Sequence, residues 1–233
     1  MAKISWLIAA YNEENRLPET VRELLEEFKG MDLEVILSDD GSADRTFEVA
    51  KKLSKENKNV FTVTAPHAGR GSALRNGIKN ARGNAVVLSS ADLLMSKNEL
   101  KKYVGMLKTN EMVLLSKNLP GSSAASRTPL RDFLSRAFNT IVRICGGVSF
   151  RDTQGLKVAR ADALGKILPE CDNNGFLFDT QLAIYGNRAG MRVVELPWRF
   201  EDMRGGSVNW RSVLKMFIDL FVVMLAFRTG VKI

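Results

Sequence analysis

The sequence predicts an α/β fold in which a mostly parallel sheet is covered by helices on both faces. Three observations lead there. The first 115 residues alternate short apolar runs with amphipathic segments. The apolar runs lack the in-out alternation of a half-solvated strand, so both faces of each strand are buried. The chain has 233 residues, of which 45% are apolar and 26% charged, enough for one large domain with a sizeable core.

Residues 4–9 (ISWLIA) read as the first strand, and 17–28 as a helix with Leu17, Val21, Leu24, Leu25 and Phe28 on one face. Residues 33–37 are a second strand, followed by a helix at 42–56 that turns Phe47, Val49, Ala50 and Leu53 inward. A strand at 60–63, a helix at 71–81, a strand at 85–88, a helix at 97–107 and a strand at 112–115 complete this half. Such strand–helix alternation is Rossmann-like. The second half is less regular, with a loop at 119–126 and helices at 130–145, 162–168 and 179–189. A strand at 192–196 ends on Pro197, and a last amphipathic helix is expected at 210–227. No internal repeat or low-complexity segment is present.

Composition narrows the chemistry. The chain carries 34 Lys and Arg against 26 Asp and Glu, net +8. The excess is uneven, net +1 over residues 1–115 and +7 over 116–233. A basic second half suits a phosphorylated ligand or an anionic surface. Nucleic acid fits poorly, because no aromatic stacking platform interleaves the arginines. Cys145 and Cys171 stand in unrelated contexts, which argues against a disulfide scaffold or a zinc site and for a reducing, cytosolic compartment. A single histidine, His67, rules out mechanisms needing a histidine cluster. Neither a targeting signal nor a run of apolar residues long enough to span a bilayer is expected.

In open α/β sheets, ligands bind beyond the carboxyl ends of the strands. Four polar clusters fall at such ends: Tyr11-Asn12-Glu13-Glu14, Asp39-Asp40-Gly41-Ser42, His67-Ala68-Gly69-Arg70-Gly71 and Ser89-Ser90-Ala91-Asp92. Singly, each has an ordinary explanation; Asp40 and Ser42 would serve as helix N-caps and the glycines as turn formers. Together, they mark one edge of the sheet.

The order AYNEENRLP, ILSDDGSADRT, GRGSALRNG, VVLSSADL resembles the nucleotide-sugar half of family 2 glycosyltransferases, which have a GT-A fold. RDTQGLK, FLFDTQL, VVELPWRF and MRGGSVNW are similar to the branch that glycosylates dolichyl or other polyprenyl phosphates, with dolichyl-phosphate glucosyltransferases the nearer group and mannose synthases the other. The resemblance covers residues 4 to about 229. It implies a transferase domain at 1–209, with a nucleotide-sugar half at 1–115 and an acceptor half at 116–209, and an interfacial helix at 210–233.

Position by position, the resemblance implies a donor-binding set of Ala10, Tyr11, Glu13, Asp39, Asp40, Arg70, Ala91, Asp92, Arg204 and Ser207. Tyr11 would lie against the nucleobase, Glu13 bind the ribose, Asp39 accept from the base and Asp40 support the ribose or the loop. Arg70 would sit near the base or diphosphate, and Arg204 and Ser207 would close over the diphosphate. Lys117, Arg131 and Ser135 would grip the acceptor phosphate, with Asp152 and Gln154 orienting the sugar or acceptor loop. Asp92, Arg131 and Arg204 form the implied catalytic set, and Asp92 the implied ligand of Mg²⁺ or Mn²⁺. Ser90 replaces the first aspartate of the family's Asp-x-Asp motif, so that metal site is expected to be weakened. Ala10 stands for the usual proline, Asn84 for an acid, and Gln181 for the glutamate of FD-x-E.

The implied reaction is an inverting transfer of a hexose, from UDP-glucose or alternatively GDP-mannose, to a polyprenyl or dolichyl phosphate. A lipid phosphate is ionised at neutral pH, so it needs no general base; it needs cations that hold two phosphates close together. The alternatives are a non-catalytic relative that binds nucleotide sugar or lipid phosphate, suggested by Ser90, and a transferase for a soluble or polysaccharide acceptor. The sequence does not specify an oligomeric state. The 210–227 segment bears a wide apolar stripe against Arg211, Lys215 and Asp219, flanked by Arg228 and Lys232. It is expected to rest on the cytoplasmic face of a membrane, with packing on the domain core as the alternative.

Overall fold

The computed structural model describes residues 3–91, 95–122 and 129–199, together with Ile218. Seven strands form one sheet: β1 (Ile4–Ala10), β2 (Leu33–Asp39), β3 (Val60–Thr64), β4 (Ala85–Ser90), β5 (Met112–Ser116), β6 (Lys157–Arg160) and β7 (Val193–Pro197). The helices are α1 (Leu17–Glu27), α2 (Thr46–Glu56), α3 (Arg70–Asn80), α4 (Lys97–Met106), α5 (Pro129–Gly146), α6 (Ala161–Ile167) and α7 (Leu177–Arg188). The spatial order is β3-β2-β1-β4-β6-β5-β7, and β6 alone runs antiparallel to its neighbours.

Both faces of the central strands are apolar because both are covered. Ile4, Trp6 and Ile8 of β1 pack with Leu17, Val21, Leu24 and Phe28 from α1 and Leu100 and Tyr103 from α4. Leu7 points the other way, into a cluster with Leu74 and Ile78 of α3 and Phe178 and Leu182 of α7. A third cluster joins Leu114 of β5 to Phe138 and Val142 of α5 and Ile184 of α7.

Chain order reverses at β1, which pairs with β2 on one side and β4 on the other. This switch point opens a crevice at the carboxyl ends of β1 and β4.

The mostly parallel α/β architecture is the one read from the sequence, with three local corrections. β6 went unread: Lys-Val-Ala-Arg is short and bounded by cations, yet Lys157 is buried in the sheet. The second helix starts at Thr46, not at residue 42. The Gly41 and Ser42 N–H groups donate instead to the Asp39 carboxylate, and the Asp44 carboxylate accepts from the Thr46 N–H at the true helix start. Asp40 and Ser42 are therefore not helix caps. The helix expected at 179–189 begins at Leu177, which puts Asp179 in its first turn.

Candidate active site at the carboxyl edge of the sheet

The loops after β1, β2 and β3 are tied together by short polar side chains that grip main-chain N–H groups. Asn12, in the left-handed region at φ 55°, accepts from the Ala43 N–H at 2.9 Å, while its own N–H donates to Ser42 Oγ at 3.0 Å. The Glu13 N–H donates to Thr46 Oγ1 at 2.7 Å. Asp39 is buried, and its carboxylate accepts from Gly41, Ser42 and Thr64 Oγ1. It lies under the loop and outside the cavity lining. Asp40 accepts from the Ala68 and Gly69 N–H groups at 3.2 and 2.9 Å and contacts His67 Nδ1 at 2.8 Å. His67 in turn stacks on Tyr11, with centroids 4.3 Å apart and planes inclined by 21°. Tyr11 is 44% exposed, a flat ring presented at the cavity mouth.

The cavity has a volume of about 790 Å³ and is lined by Ala9, Ala10, Tyr11, Glu13, Asp40, Arg70 and Ser90, with residues 173–177 forming the opposite wall. That size fits a drug-sized ligand. The wall comes close because of the glycines in the third cluster. A Cβ on Gly71 would sit 2.5 Å from the Asn173 carbonyl oxygen, and Gly69 adopts φ +122° beside Asn174. The Gly71 N–H donates to the Asn174 carbonyl at 2.7 Å. Arg75 fastens the wall from behind, donating to the Cys171 and Asn173 carbonyls and to Asn174 Oδ1.

Arg70 opens α3 and lines this cavity, with its Nε 3.3 Å from Asp179 Oδ2. The other oxygen of Asp179 accepts from Lys157 Nζ at 3.1 Å. Burial pushes the Asp179 carboxyl up, but the Lys157 and Arg70 charges outweigh it and hold the group below the usual carboxylate range.

A second polar cluster lies beyond β5. Asp152 is buried and accepts from the Lys117 and Gln154 N–H groups, while its own N–H donates to Glu195 of β7. Asn118 Nδ2 donates to the Arg151 carbonyl at 2.9 Å and approaches Ser135 Oγ at 3.4 Å. Lys117 Nζ lies 4.4 Å over the Trp198 ring. Thr153 is locked between helices: its N–H donates to Asn139 Oδ1 of α5, and its hydroxyl shares a hydrogen bond with Thr180 of α7. Gly155 follows where the chain crosses β5 so closely that any Cβ would collide with the Leu115 carbonyl.

The structure thus gathers Ala10, Tyr11, Glu13, Asp40 and Arg70 at one cavity, and Lys117, Ser135, Asp152 and Gln154 around one turn. Asp92, Arg204, Ser207 and the 210–227 segment, Ile218 apart, lie outside the described residues, as does the Arg131 side chain. Sequence reasoning missed Lys157, Arg75 and the 173–175 wall. The one available signal for the wall was the Asn-Asn-Gly turn ahead of the FLFD motif.

The glycosyl transferase family 2 model matches residues 5–168. The chain belongs to that family. Among curated relatives of this transferase, a dolichyl-phosphate beta-glucosyltransferase of Trichomonas vaginalis is 29% identical over 240 residues, covering 97% of this chain and 74% of that one. The dolichyl-phosphate beta-glucosyltransferase of Saccharomyces cerevisiae is 27% identical, covering 98% and 76%. Among solved structures, glucosyl-3-phosphoglycerate synthase from Mycobacterium tuberculosis, in complex with Mn²⁺, UDP and glucosyl-3-phosphoglycerate, superposes with a TM-score of 0.72 at 19% identity, covering 100% and 81%. The family and the GT-A fold class read from the motifs are therefore the observed ones.

Described side chains of the transferase do not by themselves make a cation site. No group of three or more His, Cys, Asp or Glu that could hold a metal occurs among the described residues. The Asp39 and Asp40 carboxylates are engaged by loop N–H groups, and Ser90 brings a hydroxyl to the end of β4. Both cysteines are free thiols, and burial pushes the Cys171 thiol up to about 12, so it is inert as a nucleophile. Among the described residues, no helix is long and apolar enough to cross a membrane.

Proposed function

We propose that this family 2 transferase moves glucose, with inversion, from UDP-glucose to a polyprenyl phosphate such as dolichyl phosphate. The observation that carries the reading is the pairing of a nucleotide-sized cavity, faced by Tyr11 and Arg70, with a separate polar turn at Lys117, Ser135 and Asp152. Two relatives named as dolichyl-phosphate glucosyltransferases span nearly the whole chain and favour glucose over mannose.

Tyr11, backed by His67, offers a face for the nucleobase, and Glu13 offers oxygen acceptors to the ribose. Arg70 leaves its two terminal nitrogens for the diphosphate while Nε is held by Asp179. Lys117 and Ser135, with Arg131, grip the acceptor phosphate. An ionised phosphate oxygen attacks the anomeric carbon in line with departure of UDP, and no base is needed to remove a proton. Asp152 sets the Lys117 backbone, and Gln154 follows it in the turn. Arg204 and Ser207 complete the donor clamp. Asp92 is the residue that would hold Mg²⁺ or Mn²⁺, which supplies charge neutralisation to the leaving diphosphate. The protein works at the cytoplasmic face of a membrane, with the 210–227 segment in the interface beside the acceptor site.

The test is incubation with labelled UDP-glucose or GDP-mannose, polyprenyl phosphate and Mn²⁺, followed by lipid extraction. Lipid-extractable label from UDP-glucose is expected. Nucleotide binding with no lipid label from either donor would overturn the reading in favour of a non-catalytic relative.

A further inference from the structure

We infer that Lys157 is a positioning residue that holds the donor-side Arg70 and the acceptor-side turn at residues 152–155 in one geometry, through Asp179. Its ammonium has three donors and three partners: the Thr153 carbonyl at 2.9 Å, the Gly155 carbonyl at 3.0 Å and Asp179 Oδ1 at 3.1 Å. The two carbonyls belong to the turn whose Asp152 carboxylate fixes Lys117. The carboxylate passes the tie to Arg70 at the cavity, on α3. One side chain in the middle of the sheet therefore touches both phosphate-handling regions, directly on one side and through a single residue on the other.

Packing alone does not call for a lysine here. Lys157 is 0% exposed in a strand whose next two residues are Val158 and Ala159, and burying an ion costs several kcal/mol before its partners offset that. An apolar residue would fill the same space. A buried ammonium does what an apolar residue cannot: it fixes the direction of two carbonyls and one carboxylate oxygen at once. Because Asp179 divides its two oxygens between Lys157 and Arg70, the Arg70 Nε is held and the guanidinium plane is aimed.

This inference rests on reading Arg70 as a diphosphate ligand, and its test separates the two. In the pair variant Lys157→Met with Asp179→Leu, the two fully buried charges are removed together and the part-exposed Arg70 keeps access to the cavity, so the fold is expected to be retained. Compared at equal thermal stability, it should bind UDP about tenfold more weakly in calorimetry and show a raised KM for polyprenyl phosphate. Arg70→Ala should give the same loss of UDP affinity, and adding it to the pair variant should change Kd by less than about twofold. UDP binding equal to the native protein, or losses that multiply, would overturn the inference. Should the pair variant not fold, Lys157→Met with Asp179→Asn keeps an oxygen for Arg70 and isolates the ammonium; its expected signature is a raised KM for the lipid phosphate with a loss of UDP affinity smaller than that of Arg70→Ala, and an unchanged KM or native UDP affinity would count against the inference. Should the native protein bind no UDP, the donor reading fails alone. Hydrogen exchange in Lys157→Met then decides: joint loss of protection at residues 69–72 and 152–155 supports the link, and loss at neither or only one refutes it.

Discussion

At the cavity mouth, the proposed donor side, Asn12, Asp39, Asp40 and Ser42 sit at or just beyond strand ends and hold main-chain N–H groups of their own or neighbouring loops. On the proposed acceptor side, Asn139, Thr153, Lys157, Asp179 and Thr180 are buried inside or against helices and strands, and hold one turn by side chains reaching between elements. The donor mouth is therefore shaped at its surface, one loop at a time. The acceptor turn is shaped from beneath, by polar groups whose loss opens a buried network. Substitutions on the two sides should fail differently.

The largest difference is expected at Gly155. A side chain there meets the Leu115 carbonyl, so Gly155→Val should destabilise the protein by about 4 kcal/mol or prevent folding, read from denaturant unfolding. Next comes Asp40→Ala at the donor mouth. It strands the Ala68 and Gly69 N–H groups and releases His67 from behind Tyr11, at a cost of about 1–3 kcal/mol, with a clear drop in UDP affinity. Asn139→Ala should cost about 1–2 kcal/mol by freeing Thr153, yet leave UDP binding unchanged and raise the KM for the lipid phosphate. Equal effects of these last two on UDP would erase the contrast.

The smallest effect lies away from both regions. Hydrogen bonds from Arg192 hold the Glu111 carboxyl at about 2. A depressed carboxylate contributes stability above its unfolded value of about 4.3 and loses it as pH falls through the folded one. Glu111→Gln should therefore slightly flatten the acid limb of a stability–pH curve between those values, with UDP binding unaffected.

The contrast also explains what was legible in the sequence. Strands β1 to β5 and helices α1 to α4 announce themselves because each apolar run ends in a polar loop cluster, and the clusters after β1 to β4 contribute Tyr11, Glu13, Asp40, Arg70 and Ser90 to the cavity lining. β6 is hidden because its first residue is a lysine whose burial only Asp179, on a distant helix, makes sense of. Thr153 and Asn139 look like surface polar residues until the helices are assembled around them. The adjacent aspartates look equivalent in sequence, while in the fold Asp40 lines the cavity and Asp39 holds the Gly41 and Ser42 N–H groups beneath it.

The most direct measurement is a calorimetric titration of UDP into the native protein, Arg70→Ala and Lys117→Ala. Separate donor and acceptor regions predict binding to the native protein, a loss of about tenfold or more in Arg70→Ala and near-native affinity in Lys117→Ala. Weakened binding in Lys117→Ala with native binding in Arg70→Ala would contradict the assignment of the donor to the crevice between β1 and β4.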